Sequence, residues 1–331
     1  LEHRLGLGEH LAQDHVKKLG VRFFLPTPGR PFGERTEFGV MTPRPDLFDV
    51  PFQGVKPPTW QLHRGRLEHR LYEDAARAGV PIFTGSKPVV TLGEPHGITM
   101  GDRRWTARWV VDASGAGGGL PMPDGDDELL PHQAQAAWFW VPSELDVDRF
   151  SDAPGFRARI PADLRWHSTT HLVGLGYWVW LIRLGDGTTS VGLVSDPRHH
   201  PPERFRDLPA GLAWLAEHEP ECAVAVAEAG PAERWSFRAW QSHARHTLAS
   251  SRRWAVTGDT AAFLDPLFSS GLDLIVTGNE LLVPLIRDDL LGIDLGRRCP
   301  RVSALFLQIA GQYLGLYTDV FRTMGHPRAM T

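Results

Sequence analysis

The stretch VTGDTAAFLDPLFSSGLDL, residues 256–274, limits the possible fold more than any other part of the chain. A β-prone run breaks at Gly-Asp, passes through a polar loop stiffened by Pro266, and enters an apolar helical pattern. A strand that hands over to a helix in this way presents a carboxylate and backbone amides at the strand's end, where sugar-phosphate ligands are held. Asp259, after Gly258, can accept hydrogen bonds from a ribose or ribityl hydroxyl. Ser269, Ser270 and Gly271 bring N–H groups to the start of the helix, a place for an anion or an electron-rich ring edge. The same run also reads as an ordinary capped helix after a strand.

A second unit has the same character. Within WQLHRGRLEHRLYEDAARAGV (60–80), Leu67, Leu71, Ala75 and Ala78 recur at helical spacing and Gly79 follows as a stop. VPIFTG, PVVTLGEPHGITMGD and RRWTARWVVDASG then read as strands separated by glycine turns. Residues 132–195 read as a sheet: HQAQAAWFWVP, WHSTTHLVG, GYWVWLIRL and TTSVGLVSD are rich in aromatic and β-branched residues. The run LPAGLAWLAEHEPECAVAVAEAG is helical, residues 1–20 are helical with Leu at 1, 5, 7 and 11, and Pro26 to Pro58 is irregular. The expected class is α/β, with a Rossmann-like domain interleaved with a mixed β-sheet domain.

Composition narrows the function. The 331 residues are 42% hydrophobic and 22% charged with a net charge of -4, so there is no basic footprint for nucleic acid. Cys222 and Cys299 are the two cysteines and form no CxxC, which argues against a disulfide framework or a zinc site; the scattered histidines make no metal motif either. No apolar run approaches about 18 residues and no signal peptide is evident, which makes the cytoplasm the default compartment. Twelve tryptophans is a high number, fit for a core or for the wall of a pocket for flat molecules.

GDTAAFLDPLFSSGLD resembles the second flavin-binding motif of the FAD-dependent monooxygenase superfamily, in particular its flavin-dependent halogenase and geranylgeranyl-reductase-like branch. WVVDASG (109–115) is similar to the strand-end Asp-Ala-Ser-Gly of that superfamily, and QLHRGRLEHRLYEDAARAGV to its helix with Arg64 at a position that commonly lies by the flavin. Trp178-Val-Trp180-Leu-Ile182-Arg183 matches the halogenase W-x-W-x-I-P in all but the last position. VKKLGVRFF (16–24) supplies Lys18-Leu-Gly20-Val-Arg-Phe23, similar to the family's K-x-G-x-x-F; Lys17 is the alternative. These landmarks occur in family order over most of the chain.

The resemblance implies a glutathione-reductase-like, aromatic-hydroxylase-like FAD-binding fold. Residues 1–25, 60–130 and 245–295 would form the FAD-binding domain, 26–59 and 131–244 the substrate-binding sheet, and 296–331 a truncated helical region. The family's first strand and G-x-G-x-x-G turn are not in the sequence, and roughly 40 to 60 residues of an N-terminal βαβ start are expected before residue 1. Arg64, Asp112, Gly258, Asp259, Pro266, Ser269, Ser270 and Gly271 would hold FAD, and Ser270 and Gly271 the halide, chloride or bromide. Reduced FAD, supplied by a separate flavin reductase, would form a C4a-hydroperoxide and yield hypohalous acid. Lys18 would relay that acid behind a wall of Trp178 and Trp180.

Two departures bear on the substrate. Phe268 stands where tryptophan halogenases carry a glutamate, which implies a phenol or pyrrole rather than free tryptophan, either free or tethered to a carrier protein. Arg183 in place of proline could hold a phenolate or carboxylate, or point to solvent. His132 and His171, in the expected substrate sheet, are candidate bases; His199 and His200 lie in a Pro-rich loop. An FAD-dependent hydroxylase on the same scaffold and a non-catalytic flavin-fold binding protein are the alternatives. The setting implied is secondary metabolism, such as antibiotic biosynthesis.

Overall fold

The computed structural model describes residues 2–27, 29–40, 59–115, 118–122, 126–160, 164–230 and 232–326. Most of the irregular stretch expected between Pro26 and Pro58 lies outside them. The chain divides into two units, Leu1–Val80 with Ala134–Ala239 and Phe321–Thr331, and Pro81–Gln133 with Trp240–Val320.

The first unit is built on a mixed sheet. Tyr177–Arg183 pairs antiparallel with Thr169–Gly174 and with Thr189–Ser195, which in turn pairs with the Gln135–Val141 part of a long strand. Val21–Phe24 adds in parallel to Thr169–Gly174, and Glu37–Val40 closes that edge. Side chains alternate across a strand, so the register makes two faces. One carries the row Ala137, Leu193, Val179, Leu172 and Phe24, which packs with Trp214, Leu215, Cys222 and Val226 of the helices Leu208–His218 and Pro220–Glu228 into the main core. The other carries, strand by strand, Trp138, Gly192, Trp180, His171, Phe23 and Phe38.

Residues 1–25 and 60–80 group with this sheet rather than with residues 81–130, a difference from the expected division. The cause is hydrogen bonding and a small shared core. Val21–Phe24 is a strand of the sheet, and Leu7 and Leu11 pack on Leu67, Trp60, Leu62 and Leu71. The expected helix over 1–20 is two short helices, Glu2–Leu5 and Gly8–Asp14, followed by a strand, Val16–Lys18, that pairs with Thr59–Gln61. The β-branched Val16 and the cross-strand partner overrule helical propensity there. The helix Arg64–Arg77 forms as expected, with His63 as its N-cap and Gly79, at φ 77°, just past its end.

The second unit holds the parallel pair Val110–Asp112 and Trp254–Val256, flanked by Ala249–Ser250. A three-stranded meander, Val89–Thr91, His96–Met100 and Arg103–Ala107, and the packed helices Ser270–Leu290 and Arg298–Tyr317 complete it. VPIFTG, expected as a strand, is not one; its Pro81 removes a ladder donor and the segment is exposed. No helix among the described residues is long and apolar enough to cross a membrane.

Candidate active site

In the second unit the two halves of the expected flavin site, 145 positions apart at Gly115 and Thr260, are brought together. Val256 pairs with Asp112 across the parallel ladder, so WVVDASG and VTGD end side by side at the carboxyl ends of their strands. That edge is where open α/β sheets bind nucleotides. Thr260 Oγ1 accepts from the Gly115 amide at 2.8 Å and ties the two loops. Asp112 does not offer its carboxylate to a ligand. One oxygen accepts from the amide and hydroxyl of Ser114, at 2.9 and 2.6 Å, and the other from the amides of Gly119 and Leu120, at 2.5 and 2.9 Å. Burial works to raise its pKa, but these hydrogen bonds hold it below the usual carboxylate range. Asp112 therefore shapes the loop, an Asx-turn role. Gly258 takes φ 63°, and the half-buried Asp259 follows it, its carbonyl accepting from His243 Nε2 at 2.9 Å.

The loop from Asp265 to Ser270 is held from three sides. Asp265 accepts from the Leu267 amide at 2.9 Å and pairs with His132 at 2.7 Å, Ser270 Oγ donates to the Asp265 carbonyl, and Tyr317 donates to the Leu267 carbonyl. His132 thereby supports this loop, and it lies in the second unit rather than in the sheet domain. Pro266 precedes Phe268 and Ser269, which both sit in the left-handed region, at φ 61° and 62°. Two successive non-glycine residues in that region are a strained arrangement of the kind that collects at binding loops. They aim the backbone into Ser270–Leu290, a helix that begins with no side-chain cap, with Gly271 half-buried and Phe268 and Ser269 exposed. Uncapped amides and the helix dipole together suit an anion. Strand ends, the Gly258 turn and this helix start fit a dinucleotide cofactor such as FAD. Arg245 was not foreseen: its Nε donates to the Thr260 carbonyl, and a Cβ on Gly118 would lie 3.3 Å from its guanidinium. Nothing in its sequence context marks it.

In the first unit, Trp178 and Trp180 stand on one face with ring centroids 5.7 Å apart. Trp180 lies over Gly192, whose lack of a Cβ leaves room for the indole, and donates to Ser190 Oγ at 3.2 Å. His171 is stacked on Phe23 at 4.7 Å and tilted against Trp178 at 5.3 Å. Burial, and then the charge of Lys18, lower the His171 pKa to about 3, so the ring is neutral at working pH. Lys18 is half-buried beside this cluster, while Lys17 is exposed. Tyr177 belongs to the opposite face. Its hydroxyl donates to Glu219 at 2.9 Å within the core, and Glu219, paired with Arg35, is raised by burial to about 7.

Arg183 also lies on the core face, by alternation from Tyr177, Val179 and Leu181. It pairs with Glu144 and stacks on Trp166. It lies on the opposite face from Trp178 and Trp180, and at 17% exposure it does not point to solvent as one expectation had it. Arg64 is 80% exposed and bonds Glu68 on its own helix. His200, in the Pro-rich loop, is buried and accepts from Trp214 Nε1 at 3.1 Å. Among the described residues no group of His, Cys, Asp and Glu could hold a metal.

No family model matches the chain. The chain is 31% identical over 294 residues to flavin-dependent halogenase armH1 of Armillaria mellea, an alignment covering 78% of the chain and 53% of that protein. It is 26% identical to armH5 of the same organism, covering 80% and 52%, and 28% identical to tetracycline 7-halogenase of Kitasatospora aureofaciens, covering 60% and 37%. It thus spans about half the length of the Armillaria relatives. Its fold matches the crystal structure of halogenase PltM with a TM-score of 0.78 at 16% identity, over 96% of the chain and 62% of PltM. It matches that of the flavin-dependent halogenase CmlS with a TM-score of 0.65 at 24% identity, over 96% and 54%. Motifs, fold and relatives agree in one likeness: the chain is similar to the flavin-dependent halogenases.

Proposed function

We propose that this chain is the greater part of an FAD-dependent halogenase that acts on an electron-rich aromatic ring of the phenol or pyrrole kind. The observation that carries the reading is the aromatic cluster on one sheet face, a His171 ring in contact with Trp178 and next to Trp180, together with a half-buried lysine, Lys18, on a separate strand pair, whose charge acts on His171. FAD, when bound and reduced by a separate flavin reductase, would react with dioxygen and so supply the oxygen atom and the two-electron oxidising power that turn halide into hypohalous acid. The strand-end loops at Ser114 and Gly258 and the start of the helix at Ser269 to Gly271 would hold that cofactor, and the amides of Ser270 and Gly271 the halide. Trp178 and Trp180 exclude water and keep the organic substrate at a distance from the oxidant's source. Lys18 hydrogen-bonds hypohalous acid and presents its halogen to the ring. Exposed Phe268 offers no carboxylate, so the substrate must be activated by its own hydroxyl or N–H. A substrate tethered to a carrier protein is compatible with this reading, as is a role in antibiotic biosynthesis.

The test uses the full-length protein with FAD, a flavin reductase, NADH, bromide and a simple phenol, followed by mass spectrometry. Brominated phenol is the expected product. Hydroxylated phenol without bromination would make the chain an FAD-dependent hydroxylase, and a full-length protein that binds no FAD would leave only a binding role.

A further inference from the structure

Within the second unit, the parallel strands Val110–Asp112 and Trp254–Val256 have a second end, opposite the edge at Asp112 and Gly258. An open cleft of about 310 Å³ is built there, within the range of small-molecule sites. Its wall is basic. Arg108 stands just before the first strand, Arg252 and Arg253 just before the second, and all three line the cleft. Asp289, in the last turn of the helix Ser270–Leu290, holds two of them from behind. Its carboxylate accepts from Arg108 Nε at 2.6 Å, Trp109 Nε1 at 2.9 Å and Arg253 Nε at 3.0 Å, and its carbonyl from Arg108 Nη2 at 2.7 Å. Both guanidiniums are thus fixed by their inner edges. Arg108 Nη1 and Arg253 Nη2 keep no hydrogen-bond partner among the described residues, and neither does the whole guanidinium of exposed Arg252. Closing the carboxyl end of the helix accounts for the inner nitrogens; it gives no role to Arg252 or to the outward ones. Glu94, 66% exposed, also lines the cleft, 3.6 Å from Arg253 Nη1, and Thr106 adds a hydroxyl.

We propose that this cleft is a ligand site separate from the cofactor edge, and that it takes the phosphate ester of a small sugar. Guanidinium forks match phosphate oxygens in pairs, and a phosphate has more acceptor oxygens to share among three arginines than a carboxylate has. A bare phosphate would leave most of the cleft empty, so the anion carries an organic body, to which Pro95 offers carbon surface. Glu94 repels an anion but accepts from a hydroxyl, and Thr106 exchanges hydrogen bonds with another. That pairing of a basic wall with a carboxylate on the same lining selects a phosphate joined to a polyol. The site takes no part in halogen transfer and stands independently of the halogenase reading.

The test is isothermal titration calorimetry of the full-length protein with ribose 5-phosphate, inorganic phosphate and ribose. Ribose 5-phosphate should bind more tightly than inorganic phosphate, ribose alone should not bind, and added salt should weaken the binding. Arg252→Gln removes a guanidinium that has no partner, so its thermal transition should match wild type while ribose 5-phosphate binds about tenfold more weakly. Glu94→Ala removes a charge that acts on both phosphates alike, so the preference for ribose 5-phosphate over inorganic phosphate isolates the hydroxyl contact. That preference should fall about fivefold, the value of one hydrogen bond. Absence of binding to the wild-type protein overturns the proposal. Binding that Arg252→Gln leaves unchanged also overturns it and moves the ligand to the cofactor edge. A preference that survives Glu94→Ala, or inorganic phosphate bound as tightly as the ester, overturns the choice of a sugar and leaves a bare anion site.

Discussion

One sheet presents two unlike faces. Toward the helices Leu208–His218 and Pro220–Glu228, the row Ala137, Leu193, Val179, Leu172 and Phe24 is carbon throughout and buried in the main core. One residue further along the same strands, the row Trp138, Gly192, Trp180, His171, Phe23 and Phe38 is aromatic and carries polar nitrogens. The backbone is shared, so the difference is purely one of side-chain choice at alternate positions. The first face holds the domain together; the second is an aromatic wall, on which the proposed chemistry would take place. The contiguous run Tyr177–Arg183 is split between them, Trp178 and Trp180 on one face and Tyr177 and Arg183 on the other.

The comparison can be broken in several ways. Leu193→Ala on the core face should cost about 3 kcal/mol of unfolding free energy, read by denaturant titration. A cost under about 1 kcal/mol would mean that the core face is not where stability lies. Gly192→Ala, one position away, adds a Cβ that clashes with the Trp180 indole, and should cost about 1–3 kcal/mol while displacing that ring, visible in its fluorescence.

The two faces should also respond to pH with opposite sign. His171, lowered to about 3, makes the fold lose stability as pH falls from 6.5 toward 3, because the unfolded chain binds the proton first. Glu219, raised to about 7, makes it lose stability as pH rises from 4.5 toward 7. The difference in unfolding free energy between wild type and His171→Phe should therefore shift by at most about 1.4 kcal/mol per pH unit, and that for Glu219→Gln likewise in the opposite direction. Parallel slopes would contradict the assignment. The smallest effect belongs to Arg183→Met: a loss of about 1 kcal/mol from the Glu144 pair, with bromination of a phenol within about twofold of wild type. A large loss of bromination would return Arg183 to the site.

Much of this was legible in the residues. The strand–loop–helix at 256–274, the DASG strand and the Trp178/Trp180 spacing are local patterns, and alternation alone puts both indoles on one face. Register was not legible: only pairing with Thr169–Gly174 sets His171 opposite Trp180 and makes it part of the wall. Arg183 follows from alternation instead: its parity with Tyr177 assigns it to the other face. The engagement of Asp112 by Ser114, Gly119 and Leu120 depends on the closure of a loop that no spacing rule reveals. His132 required a partner 133 positions away. The long strand Glu233–Arg245 escaped notice because its charged residues interrupt the apolar alternation.

The central claim is that the tryptophan face, served by Lys18, is where halogen is transferred. The adjacent lysines test it most directly: bromination of a phenol by the full-length protein, measured by mass spectrometry for Lys17→Ala and Lys18→Ala. Lys17 is exposed, and its variant should match wild type within about twofold, whereas Lys18→Ala should lose a hundredfold or more, on the order expected for removal of a positioned catalytic group. Retention of bromination in a folded Lys18→Ala protein would contradict the account.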